Sequence, residues 1–310
     1  MIRVRLGRSG LEVSPICHGT WQLSPRFWGE QPRDFMIAAA RKALDVGVNF
    51  FDTADAYGDG LAEQVLGEAL RPLPREQVVV ATKVYHHFYP DGRRHPDLSR
   101  RYIEEECEAS LRRLQMDYID LYLCHSFDPL TDLEETTTAL ERLRQAGKIR
   151  AYGASNFTVE QLRAARRFGD YATLQPRYSL LQSQAEADLL PYCRAEDIGV
   201  MVYSPLHHGL LTGKYAGTET FEDLRKSNPD FQGERFQELA GRVRALGPIA
   251  DRYSLTIVQL VLAVTLMNPM IHTAIAGIKN PEQIADAAGA MGKIISREDY
   301  FKVRATLASA

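Results

Sequence analysis

Short apolar runs alternate with longer segments of helical spacing from one end of the chain to the other. The runs ICHGTW, VNFFDTA, VVVATKV, YIDLYLCH, IRAYGAS, ATLQPRYS, GVMVYSP and TAIAGI are rich in Val, Ile, Tyr and Phe and are punctuated by Gly or Asp, the pattern of strands. Between them, Phe35–Val46 places Ile37, Ala40 and Leu44 on one face, and Tyr102–Leu114 aligns Ile103, Cys107, Leu111 and Leu114. Thr158, with Gln161 three residues on, reads as a capped helix start. Near-continuous apolar strands separated by helices predict a parallel sheet buried on both faces. Eight such strands close a (β/α)8 TIM barrel, an α/β fold. An open doubly wound sheet fits less well, because no GxGxxG follows the first strand and no Gly/Ser-rich linker divides the chain. The reading is therefore one domain over residues 1–310. Two segments depart from the alternation. Arg3–Val13 reads as an N-terminal hairpin turning at Arg8-Ser9-Gly10, a plug for the bottom of the barrel. Ser204–Gln232 is a long polar loop after strand 7, of the kind that serves as a lid or stays disordered.

Composition supports this picture. The 310 residues are many for an ordinary domain but normal for a barrel with insertions, and 45% hydrophobic with 25% charged residues suits a large core. A net charge of −3 points away from nucleic acid and membrane surfaces. Charges alternate in sign along RRYIEEECEASLRRL, which reads as a solvated helix face. MIRVRLGRSGLEV has no apolar core of a secretory signal, and Ile257–Met267 is too short for a membrane span and contains Gln259 and Thr265. The four cysteines form no CxxC pair, as expected of reduced thiols. The expectation is a cytoplasmic protein that takes a small-molecule partner, with assembly into a homo-oligomer left open.

The C-terminal strand ends of such a barrel form its active face. Asp52, Lys83 and His125 stand at the ends of strands 2, 3 and 4, and Tyr57 follows Asp52 by five residues. Singly, each has an ordinary reading: Asp52 caps a helix, Lys83 stands in solvent, His125 is a satisfied core histidine, and Tyr57 packs. Together they share one rim of adjacent strands. A phenol of pKa about 10 is a poor acid, and a neighbouring ammonium is expected to lower that value. Asp52 would hold Lys83 charged, and a neutral His125 would hydrogen-bond the same substrate oxygen. The set is a tuned acid for protonating an oxygen, or a tuned base for removing its proton.

FFDTADAYGDGLAEQVLGEAL, VVVATKV, SLRRLQMDYIDLYLCH, AGKIRAYGASNF, LQPRYSLL and VYSPLHHGLLTGKY, in this order, resemble the aldo-keto reductase family over nearly the whole chain. DLRKSNPDFQGERF resembles in addition the bacterial branch with inositol-dehydrogenase-like and general-stress members. The resemblance implies a nicotinamide-dependent reduction of an aldehyde or ketone, or the reverse on a polyol or sugar. Tyr57 would be the general acid, tuned by Lys83 and Asp52, with His125 orienting the carbonyl. It further implies that Ser155, Asn156 and Gln175 bind the nicotinamide carboxamide and that Tyr203 stacks on its ring. Ser204, Leu206, Gly209, Leu211, Gly213 and Lys214 would wrap the pyrophosphate, and Gly19, Thr20 and Trp21 would border the ribose.

At the adenosine end the sequence departs from the commoner pattern. Gly277, Gln283 and Ala287 stand where many members carry Lys, Arg and Asn, and Lys279 is the remaining cation for a 2′-phosphate. A helix start near Pro281 also favours an anion. The balance is towards NADP(H) over NAD(H). GLLTGKY is one residue short of a P-loop, and Tyr215 replaces its hydroxyl residue. His86-His87 and His207-His208 lie in rim loops without HxH or HExxH spacing, so no metal is expected. Trp28, Tyr85, His86 and Phe88 are candidates for substrate contact. Two other classes stay in view: a non-catalytic NADPH-binding regulatory protein on this scaffold, like potassium-channel β subunits, and a barrel metallohydrolase.

Overall fold

The computed structural model describes residues 1–89 and 91–308. Eight parallel strands close into a barrel: β1 (Ile16–Gly19), β2 (Phe50–Asp52), β3 (Val79–Val84), β4 (Ile119–Cys124), β5 (Ile149–Ser155), β6 (Tyr171–Gln175), β7 (Gly199–Tyr203) and β8 (Thr273–Gly277). Each pairs with its sequence neighbours, and β8 pairs with β1, so no edge is left open. All eight expected strands form. The β6 run stops at Gln175 rather than continuing to Ser179, because Pro176 has no N–H to give a ladder.

Alternation along the strands sorts side chains between two cores. Cys17, Phe50, Ala81, Leu121, Leu123, Ala151, Met201 and Ile275 fill the barrel lumen. Ile16, Phe51, Val80, Tyr122, Tyr152, Leu174 and Val200 face the ring of helices. The expected helices run over Arg33–Asp45 and Arg100–Leu114, and the Val159–Ala165 helix opens with a capping box in which Thr158 and Gln161 exchange hydrogen bonds. The helix over Arg100–Leu114 does present a solvated face through Arg101, Glu105 and Arg112, but Glu106 and Arg113 depart from that reading: Arg113 bridges Glu106 to the buried Glu63.

The N-terminal hairpin, Val4–Arg5 paired with Glu12–Val13, seals the bottom, with Leu6, Leu11 and Val13 packed into the lumen cluster. Gly7 sits at φ +52 against the start of β7, where a β-carbon would stand 2.1 Å from the Gly199 backbone nitrogen. Only glycine lets the two backbones approach this closely.

Two rim segments differ from expectation. Ser204–Gln232 contains 3₁₀ turns at His207–Thr212, Leu224–Ser227 and Pro229–Phe231, and its Leu210, Tyr215, Phe221 and Phe231 pack with Phe236 and Leu239 of the following helix (Gly233–Arg244) into a separate core. It is a packed subdomain rather than an open lid or a disordered loop. After β3 a second hairpin, His86–Phe88 paired with Arg94–Pro96, stands over the mouth. Among the described residues no single helix is long and apolar enough to cross a membrane.

Candidate active site

The mouth gathers the four residues. Lys83 Nζ donates to Asp52 Oδ1 at 2.8 Å, to the Thr53 carbonyl at 2.7 Å and to Tyr57 Oη at 3.1 Å. Its three N–H donors are thereby spent, and at 0% exposure Lys83 is no rim lysine in solvent. Asp52 is held on its other oxygen by Gln175 Nε2 at 2.7 Å. The His125 ring meets the Tyr57 ring edge-on with centroids 5.9 Å apart, and its Nδ1 has no hydrogen-bond partner among the described residues.

Electrostatics sharpen the roles and correct one expectation. Burial pushes the Tyr57 phenol up to about 12, and the Lys83 ammonium only partly offsets it. The expected net lowering does not occur, because desolvation of the phenolate outweighs one ion whose charge is shared with Asp52. Tyr57 therefore keeps its proton over the neutral range. Burial works against the Lys83 charge as well, but Asp52 and Tyr57 hold its pKa above the ordinary value. His125 is driven well below the usual histidine range by burial, then by Lys83 and His86, and is neutral.

Beside this group lies a cavity of about 430 Å³, lined by Asp52 and Tyr57 at one end and by Lys214, Arg225, Lys279 and Gln283 at the other. Gly19, Trp21, Trp28, Tyr203, Ser204, Leu206, Gly209 and Gly277 complete much of its wall. Ser155 Oγ donates to the Gln175 carbonyl at 2.9 Å, and the Tyr203 hydroxyl donates to Asn156 Oδ1 at 2.8 Å. Asn156 Nδ2 reaches the His125 carbonyl at 2.9 Å, tying β5 to β4 across the mouth. Gly209, at φ 90, leaves open space: a β-carbon there would meet nothing nearer than the Tyr215 hydroxyl at 3.5 Å. A glycine-lined cradle leading to basic side chains, with an aromatic ring at its inner end, fits a dinucleotide.

Several predicted residues stand behind the wall. Thr20 Oγ1 donates to the Asp52 carbonyl at 3.0 Å, and Leu211 is fully buried in the main core. Gly213 sits at φ +80, which favours glycine, and a β-carbon there would also crowd the Ile257 side chain. The side chain of Gln22 fills the space a Gly277 side chain would take, 2.0 Å from its ideal β-carbon. Gln283 accepts from the Lys279 N–H at 2.9 Å, as part of the turn into the Pro281–Ala288 helix. At the outer mouth Trp21 meets Trp28 edge-on at 5.4 Å. His86 faces His125 at 6.0 Å and Tyr85 at 4.9 Å, and Phe88 lies under the Arg94 guanidinium at 5.0 Å.

Sequence reasoning missed Gln22, Arg225 and Asp286, all of which line the cavity, and His208, read as a rim-loop histidine, lines it too. Arg225 lies in a polar loop without periodicity. Asp223 and Tyr215 hold its guanidinium, which lies 5.6 Å from the Trp28 ring centroid, and Lys279 Nζ lies 5.1 Å from the same ring. Burial and then Arg225 lower the pKa of both Lys214 and Lys279, as expected of cations crowded without enough anions.

A closed parallel barrel whose mouth sets a buried Lys–Asp pair against a protonated tyrosine, beside a dinucleotide-sized cavity, defines a barrel oxidoreductase without a Rossmann fold. The profile of the Aldo/keto reductase family matches residues 15–308. The chain is 38% identical over 304 residues to the aldo-keto reductase YhdN of Bacillus subtilis, covering 96% of this chain and 91% of that one. It is 35% identical over 318 residues to the NADH-specific methylglyoxal reductase of Escherichia coli, covering 98% of each. The structure matches a glycerol dehydrogenase from Gluconobacter oxydans with a TM-score of 0.91 at 31% identity, covering 98% of this chain and 94% of that one. It matches an aldo/keto reductase from Klebsiella pneumoniae, solved with NADP and acetate, with a TM-score of 0.78 at 32% identity, covering 99% and 96%. The chain belongs to the aldo/keto reductase family, and it is an oxidoreductase of carbonyls or polyols that uses a nicotinamide cofactor.

Proposed function

We propose that this enzyme reduces an aldehyde or ketone to an alcohol with NADPH, or runs the reverse reaction on a polyol or sugar, and that Tyr57 is its general acid and base. The observation that carries this reading is Lys83 Nζ, which bridges Asp52 Oδ1 at 2.8 Å and Tyr57 Oη at 3.1 Å at the mouth. When bound, the nicotinamide supplies or accepts the hydride. Tyr57 gives its phenolic proton to the carbonyl oxygen, and the adjacent ammonium stabilises the phenolate left behind. Asp52 fixes Lys83, and Gln175 fixes Asp52 through its amide nitrogen, keeping the amide oxygen for the carboxamide. His125, held neutral by burial, offers a ring N–H to the same carbonyl oxygen.

Asn156, Ser155 and Tyr203 would hold the nicotinamide end, and Ser204, Leu206, Gly209 and Lys214 the pyrophosphate. Lys279 and Arg225 would hold the 2′-phosphate. Three cations crowd the adenosine end of the cavity, which supports NADP(H). Asp286 on the same wall supports a second reading, because a carboxylate there suits the ribose diol of NAD(H). Thr256 donates to it at 2.8 Å, so part of its accepting capacity is already used.

Two measurements test the proposal. Tyr57→Phe is expected to lower carbonyl reduction by about 10²–10⁴-fold and leave NADPH binding near the wild-type value; retained turnover sinks the acid assignment. Lys279→Ala and Arg225→Ala are each expected to weaken NADPH binding by about tenfold and to leave NADH binding little changed. An unchanged NADPH-to-NADH ratio in both variants overturns the phosphate assignment in favour of NAD(H).

A further inference from the structure

The rim hairpin after β3 carries a second constellation, apart from the catalytic mouth. His87 and His95 are direct cross-strand partners, and Asp97, two residues after His95 and just past the strand, brings its carboxylate to them. His87 Nδ1 and Asp97 Oδ2 lie 2.9 Å apart. The rings of His87 and His95 stack with centroids 4.9 Å apart and planes within 20°. One donor atom from each of the three residues lies within 4.8 Å of the donors of the other two. Small rotations of partly exposed side chains bring such donors to the bond lengths of about 2.0–2.2 Å that imidazole and carboxylate make to a zinc-class ion.

We propose that His87, His95 and Asp97 form a binding site for a divalent transition-metal ion of the zinc class, and that the ion braces the rim hairpin. Two imidazoles select zinc, cobalt, nickel or copper over magnesium and calcium, which prefer all-oxygen shells. Three protein ligands leave at least one position to water, as the exposed setting allows. The constellation is also supported from behind. Tyr102 stacks on the His87 ring at 4.5 Å, and its hydroxyl donates to the His86 carbonyl. Asp97 Oδ1 accepts from the Ser99 N–H at 2.9 Å, which orients the carboxylate. Alternation puts His87 on the face opposite His86, the neighbour that looks towards His125. The ion therefore sits outside the cavity and touches no group that moves the proton. It joins the two strands of the hairpin, whose turn leads through Arg93 into Arg94 at the start of the return strand.

The test uses the full chain without a histidine tag. Cobalt(II) titration is expected to saturate at one ion per chain with the visible absorption of a bound ion, and zinc is expected to displace it. His95→Gln and Asp97→Asn are each expected to weaken cobalt binding at least about tenfold and to leave metal-free reductase activity unchanged. His86→Gln is expected to bind as the wild type does. Zinc is expected to slow tryptic cleavage at Arg93 and Arg94 in the wild type and not in His95→Gln. Absence of saturable binding, or wild-type affinity in His95→Gln, overturns the site; cleavage that zinc does not slow overturns the bracing.

Discussion

Burial and charge compete at Tyr57, and burial wins. A phenol held at about 12 is a proton donor throughout the neutral range, so the group is set for reduction. The reverse reaction needs the phenolate. Its fraction grows about tenfold per pH unit below the pKa, so the kcat for alcohol oxidation is expected to rise with pH through the alkaline range. Carbonyl reduction should show no loss from Tyr57 ionisation over the same range. A pH profile measured in both directions checks this, and an oxidation rate that falls as pH rises would refute it. The shift also has a folding consequence. Tyr57 binds its proton more tightly folded than unfolded, so its contribution to stability is complete below pH about 10 and is lost as pH climbs towards 12. The tetrad was legible in the sequence because Asp52, Lys83 and His125 each end an apolar run and Tyr57 follows Asp52 by five residues. The sign of the Tyr57 shift was not, because desolvation depends on everything packed around the ring. Arg225 was illegible for a related reason: its place beside Trp28 comes from a loop that folds on its own aromatic cluster.

Among the elements, the helices over Leu61–Leu70 and Arg100–Leu114 show what charge patterning conceals. Glu63 is fully buried, accepts from Thr82 Oγ1 of β3 at 2.6 Å and from Arg113 Nε at 2.5 Å, and shares Arg113 with Glu106. These contacts tie both helices to the strand that carries Lys83. Arg113→Ala leaves two carboxylates with little solvent and without the cation that pairs them, and is expected to destabilise the protein by about 3–5 kcal/mol in urea unfolding. A loss below about 1 kcal/mol would show that the network does not hold the helices. Sequence spacing identified the helix but put its charges in water, because a ladder of alternating signs looks the same whether its partners are solvent or another helix. The rim hairpin was likewise unread. Its register brings His95 and Asp97 to His87 across a turn, where linear ligand spacing gives no signal.

The barrel as a whole depends on closure at both ends. The bottom is closed by the N-terminal hairpin, and the backbones of Gly7 and Gly199 approach too closely for any side chain. Gly7→Ala combines a positive φ with a backbone overlap and is expected to cost about 2–4 kcal/mol, measured as a lowered denaturant midpoint. The active mouth lies at the far end of the lumen, so activity per folded molecule should stay near the wild-type value; a stable Gly7→Ala variant would show that the plug can shift without cost. The sequence by itself determined the strand count, the closed parallel barrel and the tetrad on one rim, because apolar periodicity and strand-end residues are local signals that the backbone must obey, and its ordered motif segments carried the resemblance to the family. Only the tertiary structure decided that Lys83 spends all three donors, that Gln22 takes the room beside Gly277, that Arg225 joins Lys214 and Lys279, and that the loop after β7 is a packed body. Each of these depends on distances between residues far apart in the chain, and burial and electrostatics are set by those distances.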